Sequence, residues 1–150
     1  YGPRQNPEKL IPLMTLHALA GKPLPVYGKG GNIRDWLHVE DHCEAIWKVM
    51  MEGKVGEAYV VGGRSERNNL QVVAAILDSV AAETGHSREK LESLISFVPD
   101  RLGHDWRYAI DASKIKADLG WTPKHTFEQG IRETVAWYIE NKVWLAEVTA

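Results

Sequence analysis

Leu10, Leu13, Met14 and Ala18 recur at the three- and four-residue steps that gather side chains on one face of a helix. The spacing predicts a helix over 10–20, preceded by the Asn6-Pro7 turn and stopped by Gly21 and Pro23. Pro12 belongs in its first turn, since an interior proline would cost about 3 kcal/mol. Ala45, Ile46, Val49 and Met50 predict a second helix over 40–52, closed by Gly53. Glu40 and Asp41 open it, where carboxylates meet the positive end of the helix dipole. Leu70, Val73, Ile76, Leu77 and Val80 form a third stripe, capped by Asn68 or Asn69 and ended by Gly85. Phe127, Ile131, Val135, Tyr138 and Ile139 form the last, headed by Thr126 and Gln129 as a capping box. Short helices are expected over 88–92 and from Asp111 to Leu119.

Between these stripes lie short strand-like runs: Leu24 to Tyr27, Ile33 to Val39, Glu57 to Val61 and Leu94 to Val98. Arg107 to Ile110 is briefly extended, Gly28-Lys29-Gly30-Gly31 is a turn, and 99–106 is a polar loop. The pattern is α/β with short, separated strands. The unit from Leu37 to Val61 looks like part of a βαβ layer. Such layers need parallel neighbours and cover on both faces, and this chain has too few strands to supply them.

Composition narrows the class. At 150 residues and 44% hydrophobic, the chain suits one folded domain. A net charge of -2 gives no electrostatic reason to expect nucleic acid or an anionic membrane as partner. No apolar run reaches membrane-spanning length and no signal-peptide pattern opens the chain, so a cytoplasmic location is expected. The single Cys43 excludes an internal disulfide. The start, Tyr1-Gly2-Pro3, lacks an initiator methionine, which points to processing or to a piece of a longer protein.

Candidate chemistry is sparse. The 28–31 turn is neither a dinucleotide fingerprint nor a P-loop, because the required glycine spacing and following helix or Gly-Lys-Ser/Thr are missing. His38, Glu40 and His42 depart from the zincin order, and a helix beginning near Glu40 separates the two histidines, so no metal site is expected. Cys43 reads as a packed thiol. Arg34 and the loop Asp100-Arg101-Leu102-Gly103-His104-Asp105 can converge on an anion, since the guanidinium fork matches phosphate oxygens. Taken singly, each reads as a solvated surface charge before it reads as a phosphate clamp.

Longer motifs carry a resemblance. Tyr1-Gly2-Pro3-Arg4-Gln5-Asn6-Pro7, Lys22 to Gly30, Ile33-Arg34-Asp35-Trp36-Leu37-His38-Val39-Glu40-Asp41-His42, Gly56 to Gly63, Asp100 to Asp111 and Leu119-Gly120-Trp121-Thr122-Pro123 run over essentially the whole chain. Together they resemble the C-terminal, substrate-binding half of the extended short-chain dehydrogenases that act on nucleotide sugars. Within that family the match is to the dTDP-glucose 4,6-dehydratases. The family's N-terminal Rossmann half, with its glycine-rich NAD site and Tyr-x-x-x-Lys pair, has no counterpart here. Tyr138 and Lys142 have that spacing but stand in the wrong segment.

The resemblance implies site residues for a dTDP-sugar substrate. Lys9 and Leu10 approach the nucleotide sugar. Pro25, Val26 and Tyr27 line the thymine pocket, through backbone groups and ring packing. Arg34 and Asn69 address ribose or diphosphate, and Asp100, Arg101, Gly103 and His104 form the other wall. Leu102 stands where the family usually has proline. The implied reaction is NAD-dependent oxidation at C4, loss of water across C5 and C6, and return of hydride to C6, in an enzyme expected to be a homodimer. Residues 37–63 are expected to pack on the absent NAD-binding half, and this chain alone is expected to bind no NAD and to have no catalytic residue. Two alternatives remain open: an epimerase or decarboxylase acting on a UDP-sugar, and a non-catalytic binding module.

Overall fold

Leu10 and Ile11 open α1 (Leu10–Leu19), with Pro12 in the first turn as its missing N–H requires. A computed structural model describes residues 1–108 and 110–148 of the chain. In chain order α1 is followed by β1 (Leu24–Tyr27), β2 (Ile33–Asp35), α2 (Val39–Glu52), β3 (Glu66–Asn68), α3 (Asn69–Thr84), α4 (Arg88–Glu92), β4 (Ile95–Val98), α5 (Ser113–Leu119), α6 (Phe127–Glu140) and α7 (Lys142–Val148). The α/β class holds.

α3 is the hub. Asn68 and Gln71 close a reciprocal capping box at its head, and Gly85 ends it in the left-handed region that glycine reaches without strain. Its stripe Val72, Val73, Ile76, Leu77 and Val80 is fully buried against Ile11, Met14 and Ala18 of α1 and Phe127, Ile131 and Val135 of α6. Leu24 and Val26 of β1 enter the same core. β1 pairs in parallel with β4, so Tyr27 and Val98 end at the same edge. The chain therefore leaves both strands on one side, into the 28–31 turn and the 99–106 loop. Beside this pair, β2 runs antiparallel to β3, with Arg34 opposite Arg67. Arg107 bridges to the other edge of β2 at Ile33 and holds Glu66 through two 2.9 Å contacts.

Several expectations change. β2 stops at Asp35, short of the expected Val39, because Asp35 turns its carboxylate to the N–H groups of Gly63 and Ser65, both at 2.6 Å, and His38 already caps α2. Glu57 to Val61 is not a strand: no described segment offers it a ladder. Tyr59 and Val61 instead pack, with Leu37 and Val49, on a second core of Ala45, Ala112, Ile115, Leu119 and Trp121. The unit 37–61 thus finds cover for part of its apolar surface inside this chain. Ile46, Trp47, Met50 and Met51 of α2 remain half-exposed or more. Only half of the last capping box forms, because Gln129 reaches Glu133 at 2.9 Å and leaves Thr126 as the sole cap. Of the stretch 107–110, Ala109 lies outside the described residues.

Candidate functional site

At the edge where the chain leaves the parallel pair, β1, β2, the head of α1 and residues 101–105 of the 99–106 loop enclose an open cleft of about 470 Å³. Leu10, Pro25, Tyr27, Arg34, Asn69, Arg101, Gly103 and His104 line it, so most of the expected site residues meet in one place. α1 serves two surfaces: Ile11 and Ala18 face the core, while Leu10 and Leu13 face the cleft.

Two arginines dominate the walls. Arg34 lies 4.3 Å from the centre of the Tyr108 ring and donates to the carbonyls of Ile33 and Asp105, at 2.7 and 2.9 Å. Tyr108 in turn donates its hydroxyl to Asp105, a bond that raises the phenol's pKa. Arg101 lies 4.4 Å over the Tyr27 ring, whose edge meets His104. Such stacking holds a planar cation in place while leaving other N–H groups for an anion. Asn69 projects here from the first position of α3, and its amide has no protein partner among the described residues.

Three expected residues stand differently. Val26 is buried in the main core at 2% exposure, because strand alternation sends Leu24 and Val26 inward and Pro25 and Tyr27 toward the cleft. Lys9 is exposed at the head of α1 and is not among the lining residues. Asp100 supports the wall from behind. Its Oδ1 accepts from the Arg101 N–H at 2.8 Å and lies 2.6 Å from His104 Nδ1, and the His104 bond holds its carboxyl below the usual range. Met14, Trp36, Asp105 and Tyr108 also line the cleft and went unassigned. For Trp36 the signal is present: it alternates with Arg34 along an extended run and so shares its face.

The glycine turn does not suit a dinucleotide. It leads from β1 into β2, not into a helix. A Cβ on Gly28 would meet Asp100 Oδ2 at 2.9 Å, and one on Gly31 would meet Trp106 Cη2 at 2.7 Å. These glycines let the 99–106 loop approach closely.

The family profile described as GDP-mannose 4,6 dehydratase matches residues 1–134. The chain is 59% identical over 145 residues to a dTDP-glucose 4,6-dehydratase of Neisseria gonorrhoeae, covering 95% of this chain and 42% of that protein. Among solved structures, dTDP-glucose 4,6-dehydratase from Bacillus anthracis str. Ames in complex with NAD is 48% identical, with a TM-score of 0.84 over 99% of this chain and 44% of that one. DesIV, a dTDP-glucose 4,6-dehydratase from Streptomyces venezuelae with NAD and TYD bound, is 42% identical, with a TM-score of 0.89 over the same shares. The chain spans less than half the length of these relatives.

Proposed function

The chain belongs to the family described as GDP-mannose 4,6 dehydratase, and from that premise we propose that it is the C-terminal, sugar-nucleotide-binding part of a dTDP-glucose 4,6-dehydratase. The observation that carries this reading is the convergence of two stacked arginines, Arg34 and Arg101, on one cleft with Tyr27, Asn69 and His104. The longer enzyme converts dTDP-glucose to dTDP-4-keto-6-deoxy-glucose.

This chain's own residues bind and orient. Leu10, Pro25 and the Tyr27 ring offer the base a flat, largely apolar wall, and the backbone of 25–27 reads its polar edge. Arg34 presents a guanidinium already fixed by two carbonyls, so little side-chain entropy is lost when it takes a phosphate. Arg101 and His104 close the opposite wall, and the Asn69 amide reaches ribose or diphosphate. The redox cycle has no seat among these residues: NAD belongs to the rest of the longer enzyme. Residues 37–63 pack on that part, and the exposed Ile46, Trp47, Met50 and Met51 support this arrangement. The longer enzyme is a cytoplasmic homodimer; no described helix is long and apolar enough to cross a membrane.

The test is calorimetric titration of the chain with dTDP, UDP and NAD. The expected outcome is weak, saturable binding of dTDP, weaker binding of UDP and none of NAD. Micromolar NAD binding, or no nucleotide binding at millimolar concentration, would overturn the assignment.

A further inference from the structure

Away from the cleft, the loops before α2 and before α6 bring two imidazoles together with several carboxylates. His38, the N-cap of α2, is 3% exposed; its Nδ1 accepts the Glu40 N–H at 3.4 Å, and its Nε2 is buried without a partner among the described residues. The His125 ring lies beside it, with centroids 4.1 Å apart and planes tilted by 30°. His125 Nε2 faces Glu40 Oε2 at 3.5 Å and Glu133 Oε2 at 3.8 Å. Its Nδ1 lies 3.1 Å from Asp41 Oδ1, close but outside hydrogen-bond geometry. Asp41 is 1% exposed and is fixed by the backbone N–H groups of Lys124 and His125, at 3.1 and 3.0 Å. One donor atom from each of His38, His125 and Glu133 lies within 4.8 Å of the other two.

We propose that this cluster binds a divalent transition-metal ion, zinc by its donor set, through His38, His125 and Glu133, with the Glu40 carboxylate within reach as a fourth ligand. Zinc takes imidazole nitrogen and carboxylate oxygen at about 2.0–2.2 Å in a tetrahedron, which sets neighbouring donors roughly 3.3 Å apart. His125 Nε2 is already 3.5 and 3.8 Å from the Glu40 and Glu133 carboxylates, whereas the two imidazoles must turn out of their near-parallel stack for both to face one ion. Metal-bound histidines normally turn their other ring nitrogen to a carboxylate, and Asp41 stands at that position behind His125. His38 gains the partner its buried Nε2 lacks. To bind there its single ring proton moves, by exchange with solvent, from Nε2 to Nδ1, and the long contact with the Glu40 N–H is given up. The ion would join the head of α2 to the head of α6, independently of the nucleotide cleft.

The test is titration of the EDTA-treated chain with zinc chloride against a chromophoric chelator, with the thermal midpoint recorded with and without zinc. One equivalent should bind and raise the midpoint. His125→Ala and Glu133→Gln should each weaken binding at least about tenfold. Glu133→Gln alters a half-exposed side chain, so its zinc-free midpoint should equal that of the unmodified chain, and it decides the matter even if His125→Ala fails to fold. Absence of binding would overturn the proposal. Binding that survives Glu133→Gln unchanged, or a midpoint that does not rise, would equally overturn the proposal.

Discussion

The Arg34 guanidinium sits 4.3 Å over the Tyr108 ring, pinned there by the carbonyls of Ile33 and Asp105. Arg34→Ala should therefore weaken nucleoside diphosphate binding tenfold or more, since a charge-assisted contact is worth about 1.5–3 kcal/mol. Arg34→Lys should not restore it, because a lysine ammonium cannot span both carbonyls and a phosphate as a planar fork does. Tyr108→Leu should cost less, a few-fold, by loosening the platform. Calorimetry on the three variants checks the order; equal affinities throughout would make Arg34 a surface charge.

Gly30 has a φ of +68°, and a Cβ there would stand 2.6 Å from Leu70 Cγ and 2.8 Å from Val26 Cγ1. Gly30→Ala combines a left-handed backbone, costing about 1–2 kcal/mol, with a clash against the core. Urea denaturation should show a loss of at least that size. Gly21→Ala also has a positive φ but nothing within 4 Å, so it reports the backbone cost alone and should lose less.

Acid should destabilise the chain in two steps. Burial and the nearby His125 lower the His38 pKa from 6.5. For Asp41, burial pushes the carboxyl up, but the N–H groups of His125 and Lys124 and the His125 ring pull harder, leaving it below 3.8. Both groups bind protons less readily when folded, so the unfolded chain takes up more protons and stability falls with pH. The His38 contribution is present above pH 6.5 and is lost as pH drops through its folded value. The Asp41 contribution is present above pH 3.8 and is lost below that, through its own folded value. Denaturation in EDTA should show the first decline below about pH 6.5. His38→Asn keeps an N-cap and should remove that decline. An acid limb unchanged in this variant would assign it to another group.

α6 buries Phe127, Gly130, Ile131, Thr134, Val135 and Tyr138, whereas α2 buries only Asp41 and Ala45. Amide hydrogen exchange should thus run faster in α2 than in α6. Equal, strong protection in a monodisperse monomer would mean that the contacts of Val49, Tyr59 and Val61 with α5 suffice, and that α2 needs no further cover.

The helices are legible in the chain because their signals are local: the α3 stripe, the Asn68 cap and the Gly85 stop all lie within one element. Strands are less so, since a strand exists only with a partner. Glu57 to Val61 has the right composition and no ladder, while the polar Glu66–Asn68 becomes a strand because β2 lies alongside. The cleft is legible where a motif carries it, as in Tyr27, Arg34 and the 101–104 loop. Tyr108 enters only because Arg107 bridges to Ile33 and aims the next residue at Arg34. The meeting of His38 with His125 and Glu133 depends on how α2 and α6 pack, and no spacing announces it.

The central claim is that the cleft between the head of α1 and the 99–106 loop holds a nucleoside diphosphate. Backbone amide chemical shifts of the chain, followed during titration with dTDP, test it most directly. The expected result is saturable change concentrated at Tyr27, Arg34, Asn69 and residues 101–108, with α2 silent. Changes confined to the Ile46, Trp47, Met50 and Met51 face, or none at saturating nucleotide, would contradict it.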